Sequence, residues 1–241
     1  LNFGNPEKEK IMGQFVETID GITQACEYLN FPVVSGNVSF YNETENVAIN
    51  PTPTIGGVGL LKDLSTAIDK NFKEYESSII VVGKTQGHLY QSQFFREVLK
   101  IYDGPPPEIN LFNEKNNGLA IHKLINEKLL NSVHDISLGG ILVSLTEMCI
   151  DNQIGAKINL NSIKINKYQY LFGEDQSRYL IEVSKKNEKE VTKILDENSV
   201  YYEIIGKTQK DILELDKNLF VKISDLLKHN SQWFNNYFKE S

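Results

Sequence analysis

The sequence predicts an α+β chain in two unequal pieces, residues 1–63 and residues 64–241. Two patterns carry that prediction. Apolar residues at Ile11, Phe15, Ile19, Ile22, Cys26 and Leu29 recur at spacings of three and four, the stripe of an amphipathic helix. From Ser78 onward, short apolar runs alternate with helical stripes, which predicts a mixed sheet with packed helices. A boundary is expected near Lys62–Ser65. The 241 residues, 40% of them apolar, are enough for a sizeable core. The first piece, about sixty residues, has too little core to stand alone and is expected to pack on the rest of the chain or on a partner.

The elements follow in order. Pro6 with Glu7 and Glu9 suits a helix start, and Asn30-Phe31-Pro32 ends that helix. Val33-Val34 is expected to lead a strand into a Gly-Asn segment, with Asn46–Ile49 returning. Thr54–Leu61 reads as another strand, where Gly56, Gly57 and Gly59 mark close backbone packing. In the second piece Ser78–Val82 is a buried strand, and Gly87-His88 opens a helix running to about Lys100. A stiff Gly104-Pro105-Pro106-Pro107 loop precedes a helix over Leu111–Leu130, with Gly118 its weak spot. A strand end at Ser132–Asp135 comes next, then a helix lined by Leu138, Ile141, Leu142, Leu145, Met148 and Cys149. Strands at Ala156–Leu160 and Arg178–Val183, a charged helix over Lys186–Glu197 and a strand at Tyr201–Gly206 complete the core. The closing helix carries Ile223, Leu226, Leu227, Trp233, Phe234 and Tyr237.

Charge and composition narrow the function. A net charge of −7 and a pI near 5.2 argue against a nucleic-acid-binding surface, while leaving room for a local basic pocket. No apolar run approaches bilayer length and no signal peptide is evident, so a cytoplasmic protein without a membrane partner is expected. Cys26 and Cys149 both fall on apolar helix faces and are expected to be buried free thiols. The chain opens on Leu1 in the middle of a motif, as a fragment or processed product would.

The chemistry concentrates in Ser35-Gly36-Asn37-Val38-Ser39-Phe40-Tyr41-Asn42-Glu43, followed by Pro51-Thr52-Pro53-Thr54. Small residues, amides and hydroxyls stand where a strand would carry bulky apolar groups. Gly36 lets backbone approach a ligand, Asn37, Ser39 and Asn42 offer neutral contacts, and Glu43 adds a hard carboxylate. Such a set suits a phosphorylated substrate with a hydrated cation. The competing reading is a Gly-Asn turn whose hydroxyls bond their own backbone.

Four segments in this order extend the pattern across the chain: Leu1-Asn2-Phe3-Gly4-Asn5-Pro6, the Ser-Gly-Asn-Val-Ser run, His134-Asp135-Ile136-Ser137-Leu138-Gly139-Gly140, and Phe172-Gly173-Glu174-Asp175-Gln176-Ser177-Arg178. Together they resemble the C-terminal portion of the synthetase subunit of formylglycinamide ribonucleotide amidotransferase. The resemblance implies a two-domain plan like that of aminoimidazole ribonucleotide synthetase. Residues 1–63 would be the tail of the ATP-binding half-barrel domain, and residues 64–241 the α/β-sandwich-like C-terminal domain. It implies that Gly36 contacts nucleotide, Asn37 ligates Mg2+ through its carbonyl oxygen and Ser39 contacts formylglycinamide ribonucleotide. ATP and Mg2+ are the implied cofactors. The implied partners are that substrate, the missing N-terminal half, a glutaminase subunit and a small adaptor.

In the resembled reaction ATP phosphorylates the substrate amide oxygen, and glutaminase-derived ammonia displaces phosphate to give the amidine. The family's catalytic histidine and its main acidic Mg2+ ligands lie upstream, so this chain is assigned no catalytic residue. It is expected to be inactive alone. Two other readings stay open: another ATP-dependent synthetase of the same superfamily, and a non-catalytic half that docks the glutaminase.

The remaining motifs carry alternatives. The first six residues could receive phosphate at a helix start or simply cap and turn. At His134–Gly140 the glycines could hold phosphate and Asp135 a cation, in a pseudo-symmetric nucleotide site. Against this, Asp135 or Ser137 caps the helix with His134 bonded beneath it, and the cap is favoured. Glu174 and Arg178 are cleft candidates by resemblance, although adjacent loop carboxylates such as Glu174-Asp175 are usually solvated. His88, His122 and His229 show no metal-ligand spacing and are expected on the surface or on helix faces.

Overall fold

The computed structural model describes residues 1–239 and divides into two compact units, Leu1–Lys62 and Asp63–Ser241.

In the first unit, helix α1 (Glu9–Leu29) follows Pro6 and ends where Asn30 turns left-handed at φ 55° ahead of Pro32. Its apolar stripe is real, yet only Ile11 on it is buried. Phe15 packs edge-on against Phe3 at 5.4 Å and against Phe40 at 5.1 Å, which makes a small aromatic core. The hairpin of β1 (Glu43–Thr44) and β2 (Val47–Ala48) supplies the expected return. The strands expected at Val33-Val34 and Thr54–Leu61 do not form: both stretches are irregular, and Val34 and Val58 are more than nine-tenths exposed. A strand exists only against a hydrogen-bonded neighbour, and within this unit neither stretch has one: the isolated bridges fall outside both, at Ser39 and Thr52.

The second unit is built on a seven-stranded sheet. Its strands are β3 (Ser78–Val82), β4 (Ser132–Asp135), β5 (Ile154–Ile158), β6 (Tyr179–Val183), β7 (Tyr202–Lys210), β8 (Ile212–Leu215) and β9 (Leu219–Lys222). They lie in the order β4-β6-β3-β7-β5-β8-β9, antiparallel except for the parallel pair β5–β8. Interior strand β3 is buried on both faces and reads after Ser78 as an unbroken apolar run. Alternation sends Ile79 and Val81 into one core with Leu145 and Met148. Ile80 and Val82 enter a second core with Leu124 and Val191. Helices α3 (Gly140–Ile150), α4 (Lys167–Phe172) and α6 (Ile223–Tyr237) belong to the first face, while α2 (Leu111–Asn126) and α5 (Glu188–Glu197) cover the second. The result is the α+β architecture with a mixed sheet.

Several expectations need correction. No helix starts at Gly87: that residue sits at φ +85°, and a π-helical turn begins only at Phe94 and runs to Leu99. Helix α2 stops at Asn126, four residues short of Leu130, with Lys128 left-handed just beyond. Elements α4, β8 and β9 were not expected. Cys149 is fully buried, and burial raises its thiol pKa to about 12, whereas Cys26 is only half-buried. Among the described residues no helix is long and apolar enough to cross a membrane.

Candidate functional site

In the first unit the Gly-Asn segment is laced to the beginning of the chain. Ser39 N–H donates to Leu1 O at 2.9 Å, Phe3 N–H to Ser39 O at 2.9 Å and Tyr41 N–H to Gly4 O at 3.0 Å. Asn2 and Thr52 exchange backbone bonds of 3.0 and 3.1 Å, so the Pro-Thr-Pro-Thr segment joins the same lattice. Asn42 Nδ2 locks the corner by donating to Phe3 O at 2.9 Å and Ser39 O at 3.0 Å. Its side chain also holds the Ser39 hydroxyl, within 3.2 Å.

The candidates therefore differ in what they have left to offer. Gly36 is exposed, with open space where a side chain would project. Asn37 is exposed as well and presents its carboxamide to solvent. Ser39 is partly tied to Asn42. Glu43 is no free carboxylate: it accepts from Lys8 Nζ at 2.8 Å and from Asn5 N–H at 3.0 Å. The Lys8 hydrogen bond, with that from Asn5, holds its carboxyl below the usual carboxylate range. At the start of α1, Asn5 Oδ1 accepts from Glu7 N–H at 2.8 Å. The turn reading of Leu1–Pro6 describes that contact.

In the second unit Asp135, Glu174 and Arg178 come together along a cleft of about 340 Å³, which they line with Ile136, Ser137 and Tyr179. The adjacent carboxylates are not left to solvent alone: both are engaged by backbone N–H groups. Asp175 is buried and accepts three successive backbone N–H groups, from Gln86 at 3.0 Å, Gly87 at 2.9 Å and His88 at 3.1 Å. Left-handed Gly87 lets these amides converge, and a side chain there would strike Gln169 Cβ at 2.7 Å. Glu174 Oε1 accepts from Gln93 N–H at 2.7 Å and from Gly139 N–H at 2.8 Å. Arg178 is buried, donating to Gly173 O at 2.6 Å, Asp175 O at 3.1 Å and Thr85 Oγ1 at 3.1 Å. Half-buried Glu174 and buried Arg178 thus tie loops together, and of the three candidates Asp135 is the most exposed, its side chain at 69%.

The favoured cap at Asp135 or Ser137 is also overturned. The cap of α3 is Gly139 at φ +83°, and its N–H is taken by Glu174. A carboxylate from another loop already fills the anion position at this helix start. His134 is bonded beneath the helix as expected, with Nε2 2.7 Å from Glu147 Oε2 on α3.

Asp175 escaped the sequence reading because its three amide partners lie nearly ninety positions away. The signal was the pair Gly83 and Gly87 bracketing a polar turn after a buried strand. Among the described residues no group of three His, Cys, Asp or Glu side chains is placed to hold a metal ion.

With this geometry in hand, comparisons with known proteins are informative. A family model described as "AIR synthase related protein, C-terminal domain" matches residues 78–216, and one described as "AIR synthase related protein, N-terminal domain" matches residues 1–61. The chain is 52% identical over 239 residues to the phosphoribosylformylglycinamidine synthase subunit PurL of Pelagibacter ubique, an alignment covering 99% of this chain and 33% of that protein. Against the PurL of Azorhizobium caulinodans the identity is 41% over 233 residues, with 97% and 32% covered. The chain thus spans about a third of the length of the curated relatives it matches.

Among solved structures, Thermotoga maritima PurL complexed with FGAR superimposes with a TM-score of 0.69 at 14% identity, covering 87% of this chain and 36% of that one. The same protein complexed with ATP gives 0.66 at 13%, covering 87% and 35%. At such identities the likeness shows a shared fold.

Proposed function

Because the chain belongs to the AIR synthase related protein family, we propose that it is the C-terminal part of a phosphoribosylformylglycinamidine synthase, an ATP-dependent ligase of cytoplasmic purine biosynthesis. The observation that carries this reading is the 52% identity to a PurL across 99% of the chain, with the Gly36-Asn37-Val38-Ser39 run complete. In support, that run lies on a surface shaped by backbone bonds to residues 1–4, and Gly36 and Asn37 remain open to solvent.

In this reading Gly36 lets the nucleotide approach backbone, Asn37 Oδ1 is one ligand of Mg2+, and Ser39 touches formylglycinamide ribonucleotide. Mg2+ requires about six oxygens, so a single neutral amide fits only as one member of a set completed by phosphate, water and carboxylates. Those carboxylates, and the group that acts at the reacting amide, would come from the remainder of the longer protein. The bound Mg2+ would neutralise phosphate charge during transfer to the amide oxygen. Residues 1–63 would then belong to the ATP-binding domain and residues 64–241 to the C-terminal domain. A glutaminase subunit and a small adaptor are the proposed partners.

The test is a thermal-shift titration of the chain with Mg2+ and ATP. A ligand that binds only the folded state raises Tm, by about 2.7 kcal/mol of stabilisation at a hundredfold excess over Kd. The expected result is a shift in the wild type that Asn37→Ala abolishes, with no ligase activity from the 241 residues alone. Turnover of formylglycinamide ribonucleotide with ATP and ammonium by this chain would overturn the assignment of catalysis to the missing part. The absence of any nucleotide shift would overturn the site.

A further inference from the structure

Helix α6 is seated by its first half only. Ile223 is buried and Leu226 packs against the same core, but every residue from Lys228 to Lys239 is exposed. The apolar stripe that seats the helix does not stop where the packing does. Carried on at helical spacing, it runs through Trp233, Phe234 and Tyr237 to Phe238 at the C-cap. These four side chains are 59%, 56%, 66% and 58% exposed. Their rings stand in two rows, Trp233 with Tyr237 at 6.4 Å and Phe234 with Phe238 at 4.7 Å between centroids. Contacts of 5.7 Å between Trp233 and Phe234 and of 5.3 Å between Tyr237 and Phe238 join the rows.

Helix propensity does not hold this half in place. Asn230, Ser231, Asn235 and Asn236 are weak helix formers, and so short a segment is marginal as a helix without packing. Charge selects what would cover the rings. From Asn230 to Phe238 no residue is charged. A helix that lies on a membrane carries Lys and Arg on its polar face, where this one has Ser231, Gln232, Asn235 and Asn236. A charged partner would find nothing to read. A two-fold pairing sets a patch against its own copy, so any charge in it would meet its like. An aromatic patch without charges meets that demand and has the composition of an interface centre.

We propose that the exposed half of α6 is a homodimer contact, in which two copies of this chain pair antiparallel through these four rings. The two rows are their own complement. A two-fold axis through their centre brings Trp233 of one copy against Phe238 of the other, and Phe234 against Tyr237. A covered ring buries about 150–250 Å², so four rings a little over half exposed offer roughly 350–600 Å² per copy. Counting both copies, that is at or below the lower edge of stable interfaces, about 1,200 Å², so the dimer is weak, with Kd on the order of 100 µM. The surface is separate from the Gly36–Ser39 segment and does not depend on it.

The test is sedimentation velocity of the 241-residue chain from about 5 µM to about 1 mM, a range that brackets the expected Kd. Hydrogen exchange of residues 228–239 is followed over the same range. The expected result is a reversible monomer–dimer equilibrium that tightens with added salt, as the repulsion between two copies of net charge −7 is screened. Exchange of residues 228–239 should slow as the dimer fills. Phe234→Lys should weaken association at least about tenfold, and so should Tyr237→Glu, because each sets a charge against an aromatic ring without a partner. Mixed together, the two variants should associate to within about threefold of wild type, since the axis places the new charges opposite each other in one of its two contacts. Both positions are exposed, so each variant should fold as the wild type does, with unchanged Tm of the monomer as the check. A chain that stays monomeric to about 1 mM would overturn the proposal. So would a dimer indifferent to both variants, or a mixture that fails to recover. Binding of the monomer to phosphatidylcholine–phosphatidylglycerol vesicles, lost in Phe234→Lys with no self-association in the wild type, would overturn it in favour of a membrane.

Discussion

At the scale of single residues, carboxylates placed as internal acceptors organise the second unit. Asp175 gathers the amides of residues 86–88, Glu174 bridges Gln93 and Gly139, and fully buried Glu182 accepts from Lys73 N–H at 2.8 Å and Glu74 N–H at 3.0 Å. Each joins loops distant in sequence and replaces water at N–H groups that would otherwise be costly to bury. Asp175→Asn should therefore be disproportionately damaging. It keeps the shape but replaces one acceptor oxygen with a donor that faces N–H groups, and it removes the charge that Arg178 packs against at 3.7 Å. A loss of about 2–4 kcal/mol is expected, since hydrogen bonds to charged groups contribute about 1.5–3 kcal/mol each. Urea unfolding monitored by circular dichroism measures it. A midpoint unchanged from wild type would show that the three amides find equivalent partners without the carboxylate.

At the scale of elements, strand β4 and helix α3 are clasped by a polar contact at their edge. Glu147 on α3 meets His134 of β4 at 2.7 Å and Lys70 Nζ at 3.2 Å. Burial acts to raise the Glu147 pKa, but the hydrogen bonds with His134 and Lys70 outweigh it and hold the carboxyl below its ordinary 4.5. Because the folded value is the lower one, the unfolded chain binds more protons between the two. The stabilisation is complete above the unfolded value and is lost as pH falls through the folded value. Glu147→Gln should accordingly lower Tm at pH 7 modestly and leave it equal to wild type once pH has fallen below the folded value, where both states are protonated. A Tm difference that persists undiminished at the acid end would remove the carboxylate charge as the cause.

The same elements explain what could be read in advance. Strands β3, β4 and β6 were legible because apolar runs bounded by turn residues admit few other structures, and α5 and α6 because their stripes are strongly periodic. Short α4 and the pair β8–β9 carry too few residues for either period to emerge. Val33-Val34 and Thr54–Leu61 look like strands by composition, but pairing is a property of neighbours and not of the segment. Within the site, Gly36, Asn37 and Ser39 stood out because polar and small residues break an apolar pattern. The bonds of Glu174 and Arg178 could not be read, since their partners are backbone groups that only the folded loops bring near.

At the scale of the whole molecule, the two units differ in how they resist opening. In Leu1–Lys62 only Phe3, Gly4 and Ile11 are buried, so most of the N–H groups of α1 and the residue 1–4 lattice lie close to water. In Asp63–Ser241 two apolar cores sandwich β3 and β6, and breaking the bonds between those strands exposes both cores at once. Backbone hydrogen bonds that are covered by apolar side chains open only with the cooperative unit that covers them, whereas lightly covered ones open locally. Hydrogen–deuterium exchange followed by mass spectrometry should therefore label peptides from residues 1–62 at least about a hundredfold faster than peptides containing Ser78–Val82 or Tyr179–Val183, a gap of about 2.7 kcal/mol in opening free energy. Equal protection across both sets would mean that the small unit gains its stability from something other than its own core, and the unequal burial would then cease to predict behaviour.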